Sequence, residues 1–305
     1  MEGDKDRLPG LREALLVWGV LGAVALAVLV TYARLPVAEL YNVDEEGFGG
    51  GFGRALVFLN YPTALAAIAV LLLAADRLGR PSTAAAAVLA GVLCAAVAWP
   101  GVVDQSDLDA RAVNAIPAAG VALAAGLTGL ALARGGLGRP AARSGLDVVR
   151  LALAAILLAA ALPWIAAELG FSLGGPFLSD EPRPEPGHPQ LIAVHLGHHH
   201  GLDGTLLALT ALALSRVVPQ TSRRVRPALG LYLALMLVYG LANALQDFWL
   251  EQLVKRGTTS LELPEMTRPA LSPAWGAMVA AAVLIHFAAR RVARVHRRQK
   301  GGTTR

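Results

Sequence analysis

The sequence predicts an all-α protein, a polytopic transmembrane bundle of about eight helical spans. Of its 305 residues, 55% are hydrophobic and 16% are charged, whereas soluble globular chains carry about 25% charged residues. Apolar runs recur along the whole chain, and roughly 20 helical residues are enough to cross a hydrocarbon core of about 30 Å. The runs are continuous and lack the period-two alternation of barrel strands, so we expect helices, which satisfy their own backbone in lipid.

The predicted spans are the eight apolar runs, and a basic tail over 293–305 follows a single membrane domain over 1–292. The first run is expected to remain in the protein, because four of the seven charged residues in its leader are acidic and the run is too long for a signal-peptide core. The sixth run is the least regular, since only about eleven apolar residues separate Gly204 from Arg216 and a full span must therefore begin near His199 or His200. Pro62, Pro117 and Pro163 predict kinks. In order, the runs are residues 14–33, 55–75, 83–100, 112–133, 148–168, 199–219, 228–248 and 271–289.

The basic residues predict the orientation. With both termini in the cytoplasm, 20 of the 27 Lys and Arg residues lie on the cytoplasmic side, as the positive-inside rule requires. The excess of Arg over Lys is typical of a GC-rich genome, so we expect a multi-pass protein of the bacterial cytoplasmic (inner) membrane. Short cytoplasmic loops facing anionic lipid account for the pI near 9.8, and no nucleic-acid partner is expected.

The stretch HLGHHHGLDG, residues 195–204, predicts a metal site. On a helix, the spacing of His195, His198 and His199 gives i,i+3 and i,i+4 pairs, and His200 and Asp203 follow closely. Neutral imidazoles one turn apart can hold a divalent transition metal, zinc above all, with a carboxylate completing or orienting the set. The alternatives are a hydrated loop at the membrane boundary, haem ligation, or an Asp203 that only caps the next helix.

A second candidate is YNVDEEGFGGGFGR, residues 41–54, in the loop expected over 34–54. Its glycine run follows no strand, so it predicts a flexible loop rather than a phosphate-binding loop. Asp44 and Glu45 come directly after the first span, where they could act as general base or metal ligands. Their placement resembles the acidic pair in the first external loop of GT-C-type glycosyltransferases, which use polyprenyl-phosphate sugars. That resemblance would make these two acids catalytic; otherwise the loop is simply solvated.

Ionisable residues inside spans are costly and therefore point to function. Glu168 and Asp247 lie in the outer thirds of their predicted spans, at the same depth as Asp203, while the inner halves carry no acid. A channel or a proton-coupled carrier would need polar groups at several depths. The pattern therefore favours an outward-facing pocket with Asp203, Glu168 or Asp247 as metal ligand or general base.

We expect a metal-dependent membrane enzyme whose lipid or lipid-linked substrate enters from the outer leaflet of the bilayer. One alternative is a protein that binds or transports metal ions. Another is a non-catalytic subunit that contacts a protein partner through its outer loops.

Overall fold

The computed structural model describes residues 10–37, 40, 43–104, 108–171, 173–174, 200–267 and 271–301. Within these ranges the regular structure is helical and includes no β-strand, which confirms the all-α prediction. A π-helical turn, Leu250–Val254, extends the eighth helix. The nine described α-helices are α1 (Arg12–Tyr32), α2 (Gly47–Leu78), α3 (Pro81–Ala95), α4 (Ala115–Gly135), α5 (Leu146–Ala160), α6 (Leu162–Glu168), α7 (His200–Leu214), α8 (Val225–Trp249) and α9 (Pro273–Gly301).

Six helices in the described part of the chain are long and apolar enough to cross a membrane, or seven if α5 and α6 form one span. These two helices are bent by 58° relative to each other. Pro163 stands in the first turn of α6, where its ring excludes a continuous helix through Ala161. The predicted kink at Pro163 is confirmed, whereas Pro62 lies inside an unbroken α2.

The sixth predicted span is shorter than expected. It becomes α7, whose 15 residues extend about 22 Å at 1.5 Å per residue, less than a hydrocarbon core of about 30 Å. The helix ends before Ser215, whose hydroxyl bonds back to the Leu212 carbonyl, and Pro219 disfavours helix beyond it. By length and composition, the described residues therefore do not reach the count of eight full spans.

The bundle has two polar ends. At the first, called the terminal end because α1 begins there, the Leu11 amide bonds to the Leu137 carbonyl at 2.9 Å. At the same end, Arg216 lies 3.2 Å from Glu13 and 3.4 Å from Asp147. This end gathers the loops after α2, α4 and α7, which are the loops predicted to be cytoplasmic. The opposite end, called the distal end, contains the end of α1, the start of α2, α6, the start of α7 and the end of α8.

The glycine run predicted as a flexible loop forms the first turns of α2 instead. Glycine is needed there because the helix approaches its neighbours closely. A Cβ on Gly51 would lie 2.4 Å from the Leu29 carbonyl oxygen of α1, and one on Gly53 would lie 2.9 Å from the Ala110 amide. Helices with small residues at their contact can pack backbone to backbone. The expected loop over 34–54 is wrong for this part, and Arg54 is brought inside the bundle.

The α7 and α8 helices cross closely, and α7 is enclosed on nearly all sides. At the crossing, a Cβ on Gly204 would lie 2.4 Å from the Gly240 carbonyl oxygen, and one on Gly240 would lie 2.5 Å from the Gly204 carbonyl oxygen. Residues 201–208 are all buried, and α7 also contacts α1, α2, α5 and α6. A helix buried all round belongs to the interior of a bundle, so Asp203 lies among helices rather than toward lipid.

Candidate functional site

Four buried carboxyl groups from three helices meet at the distal end. We call them the distal acid cluster: Glu168 on α6, Asp203 on α7, Asp247 on α8, and Glu251 on the π-helical turn that extends α8. Asp203 interacts electrostatically with Glu168, Asp247 and the guanidinium of Arg54. The three span acids predicted from sequence are therefore brought together in space.

Glu168 is paired with Arg54 in the interior. Both residues are 2% exposed, and an Arg54 nitrogen lies 3.6 Å from a Glu168 carboxylate oxygen. The guanidinium carbon also lies 5.2 Å from the centre of the Tyr32 ring, within the roughly 6 Å typical of a cation–π contact. Because an isolated buried charge is costly, each member of the pair holds the other in place, and together they connect α1, α2 and α6.

Asp247 binds a backbone amide at the beginning of α7. Its Oδ2 accepts a hydrogen bond of 2.7 Å from the amide of Gly201, one of the amides at a helix start that have no partner within their own helix. A carboxylate at this position also interacts favourably with the helix dipole. Gly201 is required there because a Cβ would lie 2.2 Å from the Trp164 ring. Asp247 thus fixes the start of α7 against α6 and α8.

Glu251 is held by one hydrogen bond and one ion pair. Its Oε2 accepts a hydrogen bond of 2.8 Å from the indole nitrogen of Trp164, and its Oε1 lies 3.7 Å from the ammonium of Lys255. Trp164 is fully buried. This arrangement ties α6 to the end of α8, and Oε1 has the ion pair but no hydrogen bond among the described residues.

Asp203 differs from the other three acids because the described residues give its side chain neither a hydrogen bond nor an ion pair, whereas each of the others has at least one of the two. It is 7% exposed, and its Oδ1 is buried without a hydrogen-bond partner among the described residues. No ion pair with Asp203 occurs in this part of the chain either. A buried polar group without a partner costs free energy, about 1–3 kcal/mol for a typical lost hydrogen bond. Because the Asp203 carboxyl group is buried despite this cost, it is the strongest candidate for binding or chemistry in the cluster.

Two tyrosine hydroxyl groups that interact electrostatically with Asp203 form a hydrogen-bonded chain. The Tyr61 and Tyr239 oxygens are 2.5 Å apart, and the Tyr239 hydroxyl donates to the Thr267 carbonyl. Asp203 interacts electrostatically with both tyrosines. The segment that contains Thr267 follows α8 back toward the middle of the bundle, because Trp249 bonds to Leu261 and Gln246 bonds to Met266.

The other predicted site residues are placed differently. Asp44 and Glu45 are exposed, and the Asp44 amide donates to Asp109 at 2.9 Å, which attaches this segment to the loop before α4. Glu45 folds over the first turn of α2, where its Oε2 would lie 2.5 Å from a Cβ on Gly49. These contacts place the pair on the surface, outside the buried cluster.

Of the predicted metal ligands, only His200 falls in the described part of the chain. It opens α7, directly before Gly201, and is partly buried. His195, His198 and His199 lie outside the described residues, as does the helix expected from Pro189. Within the residues that are described, no group of three or more His, Cys, Asp or Glu side chains is arranged to hold a metal ion.

Sequence reasoning missed several members of the site. Arg54 was assigned to a loop, and Tyr32, Tyr61 and Tyr239 gave no signal because single tyrosines in apolar runs are ordinary core residues. Glu251 stands four residues after Asp247 and eight after Asn243, a spacing that marks one helix face. Arg54 stands seven residues before Tyr61, so the two lie on one face of a helix, and this spacing was the available clue for Arg54.

Comparison with known proteins assigns no relative: no family model matches the chain, and no curated protein or solved structure matches it either.

Proposed function

We propose that this chain is a membrane-embedded enzyme that acts on a lipid or lipid-linked substrate at the distal end of its helical bundle. By the distribution of basic residues, that end faces outward from the bacterial cytoplasmic membrane. The observation that carries the proposal is the Asp203 carboxylate, buried on an enclosed helix without a hydrogen-bond partner among the described residues. A carboxyl group in that state is suited to accept and return a proton during a reaction.

The neighbouring residues support this role for Asp203. Arg54 and Glu168 are close enough to interact with Asp203 electrostatically, so they set the charge around it. The hydrogen bond from Gly201 to Asp247 fixes the helix turn that carries Asp203. The acids that are held by a hydrogen bond or an ion pair thus act as positioning residues, and Asp203 is the residue proposed to touch the substrate.

A metal ion is the second part of the proposal. His195, His198 and His199 precede Asp203 by no more than eight residues, and His200 opens the helix that carries it. Imidazole groups at these spacings suit zinc, which would activate water or polarise a phosphoryl or carbonyl oxygen. Asp203 would then orient a histidine or complete the ligand set.

The direct test is turnover of membrane lipids. Purified protein in lipid nanodiscs is incubated with bacterial lipid extracts, and the products are followed by mass spectrometry. We expect a lipid or lipid-linked compound to be consumed. We expect the rate to fall about 10²- to 10⁴-fold in Asp203→Asn, the range for losing a general acid or base. Asp76→Asn is the matched control, because Asp76 accepts a bond from the Ser222 amide at the terminal end.

The metal is tested separately. Elemental analysis should find about one equivalent of zinc or a related metal, and a variant with His195, His198, His199 and His200 changed to Ala should lose both metal and activity. Metal-free protein with full turnover would remove the metal from the proposal and leave Asp203. Equal turnover by Asp203→Asn and the native chain would refute the assignment of Asp203.

A further inference from the structure

We propose that the segment between α8 and α9 lines a water-filled recess in the membrane part of the bundle, open at the distal end. The segment comprises residues 259–267 and is called the α8–α9 strap. The recess admits water and small hydrophilic solutes to about 10 Å below the distal boundary of the membrane. It would exist whether or not the chain is an enzyme.

The α8–α9 strap runs into the bundle alongside α8, in the opposite direction. Near its start, the Leu261 carbonyl accepts a hydrogen bond of 2.7 Å from the Trp249 indole. At its end, the Thr267 carbonyl accepts a hydrogen bond from the Tyr239 hydroxyl. Trp249 and Tyr239 are ten residues apart on α8, a rise of about 15 Å. The strap therefore descends by about that distance from the distal end toward the middle of the bundle.

The charged residues of α8 indicate how deep the strap reaches. Between Arg226 and Asp247 stand 20 residues without charge, which rise about 30 Å and match the thickness of a hydrocarbon core. Tyr239 precedes Gln246, the last of these residues, by seven positions, or about 10 Å. Helical side chains tilt toward the helix N-terminus. The Tyr239 hydroxyl and the Thr267 carbonyl therefore lie at least that far inside the distal boundary.

The α9 helix begins at the depth that the strap reaches. The centre of its Trp275 ring lies 5.2 Å from the centre of the Tyr239 ring, and the helix begins at Pro273. Its charge-free stretch, residues 273–289, extends about 25 Å and ends at Arg290. On the side where α9 packs against α8, the strap therefore occupies the outermost 10 Å or so of the hydrocarbon layer, where a helix would otherwise stand.

The strap is unsuited to contact with lipid. Residues 259–266 have no regular structure, and residues 259–264 form no backbone–backbone hydrogen bond with any residue that the structure describes. Two acids of the strap, Glu262 and Glu265, are exposed. A membrane tolerates non-helical backbone only where protein buries it or water reaches it. Acids at membrane depth likewise face the bundle interior or a water-filled cavity.

The exposed acids favour water over a second protein as the neighbour of the strap. Glu265 Oε1 accepts hydrogen bonds from the amide and the hydroxyl of Thr267, so this carboxyl group is held near the deepest described residue of the strap. Glu262 stands three residues earlier and is exposed as well. Charged residues are depleted at the cores of protein interfaces. Water solvates both acids and the exposed backbone without further partners.

The test compares single cysteines introduced into the full chain in lipid nanodiscs. The reagent is a sulfonated maleimide, which is charged and stays in water. The native chain is the blank, because its only cysteine, Cys94, is buried. Glu265→Cys samples the strap. Thr258→Cys, at an exposed position directly before the strap, gives the reactivity of a thiol in water.

Leu26→Cys is the matched control for a thiol that faces lipid. Leu26 is 62% exposed on α1, about 9 Å before the helix ends at Tyr32 at the same end of the bundle. We expect Glu265→Cys to react within about 10-fold of Thr258→Cys and at least about 100-fold faster than Leu26→Cys, because hydrocarbon excludes both the charged reagent and the reactive thiolate. If Glu265→Cys reacts as slowly as Leu26→Cys, the recess is absent and the proposal is overturned.

Hydrogen exchange of the native chain is a second measurement that needs no substitution. The amides of residues 259–264 form no backbone–backbone hydrogen bond within the described residues, so their exchange depends on whether water reaches them. In nanodiscs we expect these amides to exchange at least about 100-fold faster than those of residues 277–285, which are hydrogen-bonded within α9. Exchange as slow as in α9 would also overturn the proposal, since lipid or another protein would then cover the strap.

Discussion

The close crossing of α7 and α8 makes a sharp prediction for Gly204→Ala. The added Cβ would lie 2.4 Å from the Gly240 carbonyl oxygen and 2.7 Å from the Ala244 amide nitrogen. Both atoms belong to the backbone, so no flexible side chain can move aside and the helices must separate. Overpacking of this kind costs about 1–3 kcal/mol, which outweighs the intrinsic preference of a helix for Ala over Gly, about 1 kcal/mol.

Gly126→Ala is the matched control, because a Cβ at that position in α4 meets nothing within 4 Å. There the helix preference acts alone, so we expect stabilisation of up to about 1 kcal/mol. Because the helix preference is common to both substitutions, the two variants should differ by the overpacking cost alone, about 1–3 kcal/mol in the free energy of unfolding. Reversible unfolding in mixed detergent, followed by circular dichroism, measures this difference.

The expected loss of stability in Gly204→Ala also has a consequence for the candidate site. Since Asp203 is adjacent to Gly204, separating α7 from α8 should weaken ligand binding in Gly204→Ala but not in Gly126→Ala. Equal stability of the two variants would refute the close crossing, and with it the position assigned to Asp203.

Three further predictions concern the residues around Asp203. Arg54→Met should destabilise the protein by about 3–5 kcal/mol, because it leaves Glu168 buried without its cation, and the double variant Arg54→Met/Glu168→Met should regain most of that loss. A double-mutant cycle on the free energy of unfolding checks both values, and additive losses would contradict the ion pair. Asp247→Ala should lower stability by about 0.5–2 kcal/mol, the usual cost of losing a helix cap, with increased amide hydrogen exchange confined to the first turn of α7; unchanged exchange there would contradict its capping role. Gly51→Val should reduce the yield of folded protein more than Gly19→Val, because only the former Cβ meets backbone, 2.4 Å from the Leu29 carbonyl oxygen; size-exclusion profiles of the two variants measure this, and equal yields would argue against the α1–α2 contact.

Part of the candidate site could be predicted from the residues alone. Glu168, Asp203 and Asp247 stand out because ionisable groups inside apolar runs are rare and costly, and their depth follows from the positions of the spans. Their separate roles could not be predicted, since each depends on a partner distant in the chain. Trp164 bonds to Glu251 across 87 residues, and Gly201 bonds to Asp247 across 46.

Arg54 shows why the local pattern was misleading. Seven residues with five glycines precede it, and glycine in isolation disfavours helix by about 1 kcal/mol per residue. The tertiary structure reverses that preference, because only glycine allows α2 to approach α1 and the segment before α4 so closely. The loop expected there becomes a helix, and its arginine becomes the partner of Glu168.

The sequence by itself determined the all-α membrane fold, the positions of most apolar helices and the grouping of the acids at one end. These properties depend on composition and on runs along the chain, which hydrocarbon and backbone hydrogen bonding select directly. Only the tertiary structure decided that α7 is a short interior helix, that α5 and α6 bend apart, and that Asp203 is the acid left without a partner among the described residues. Those outcomes depend on contacts between distant segments, where close packing determines which polar group meets which.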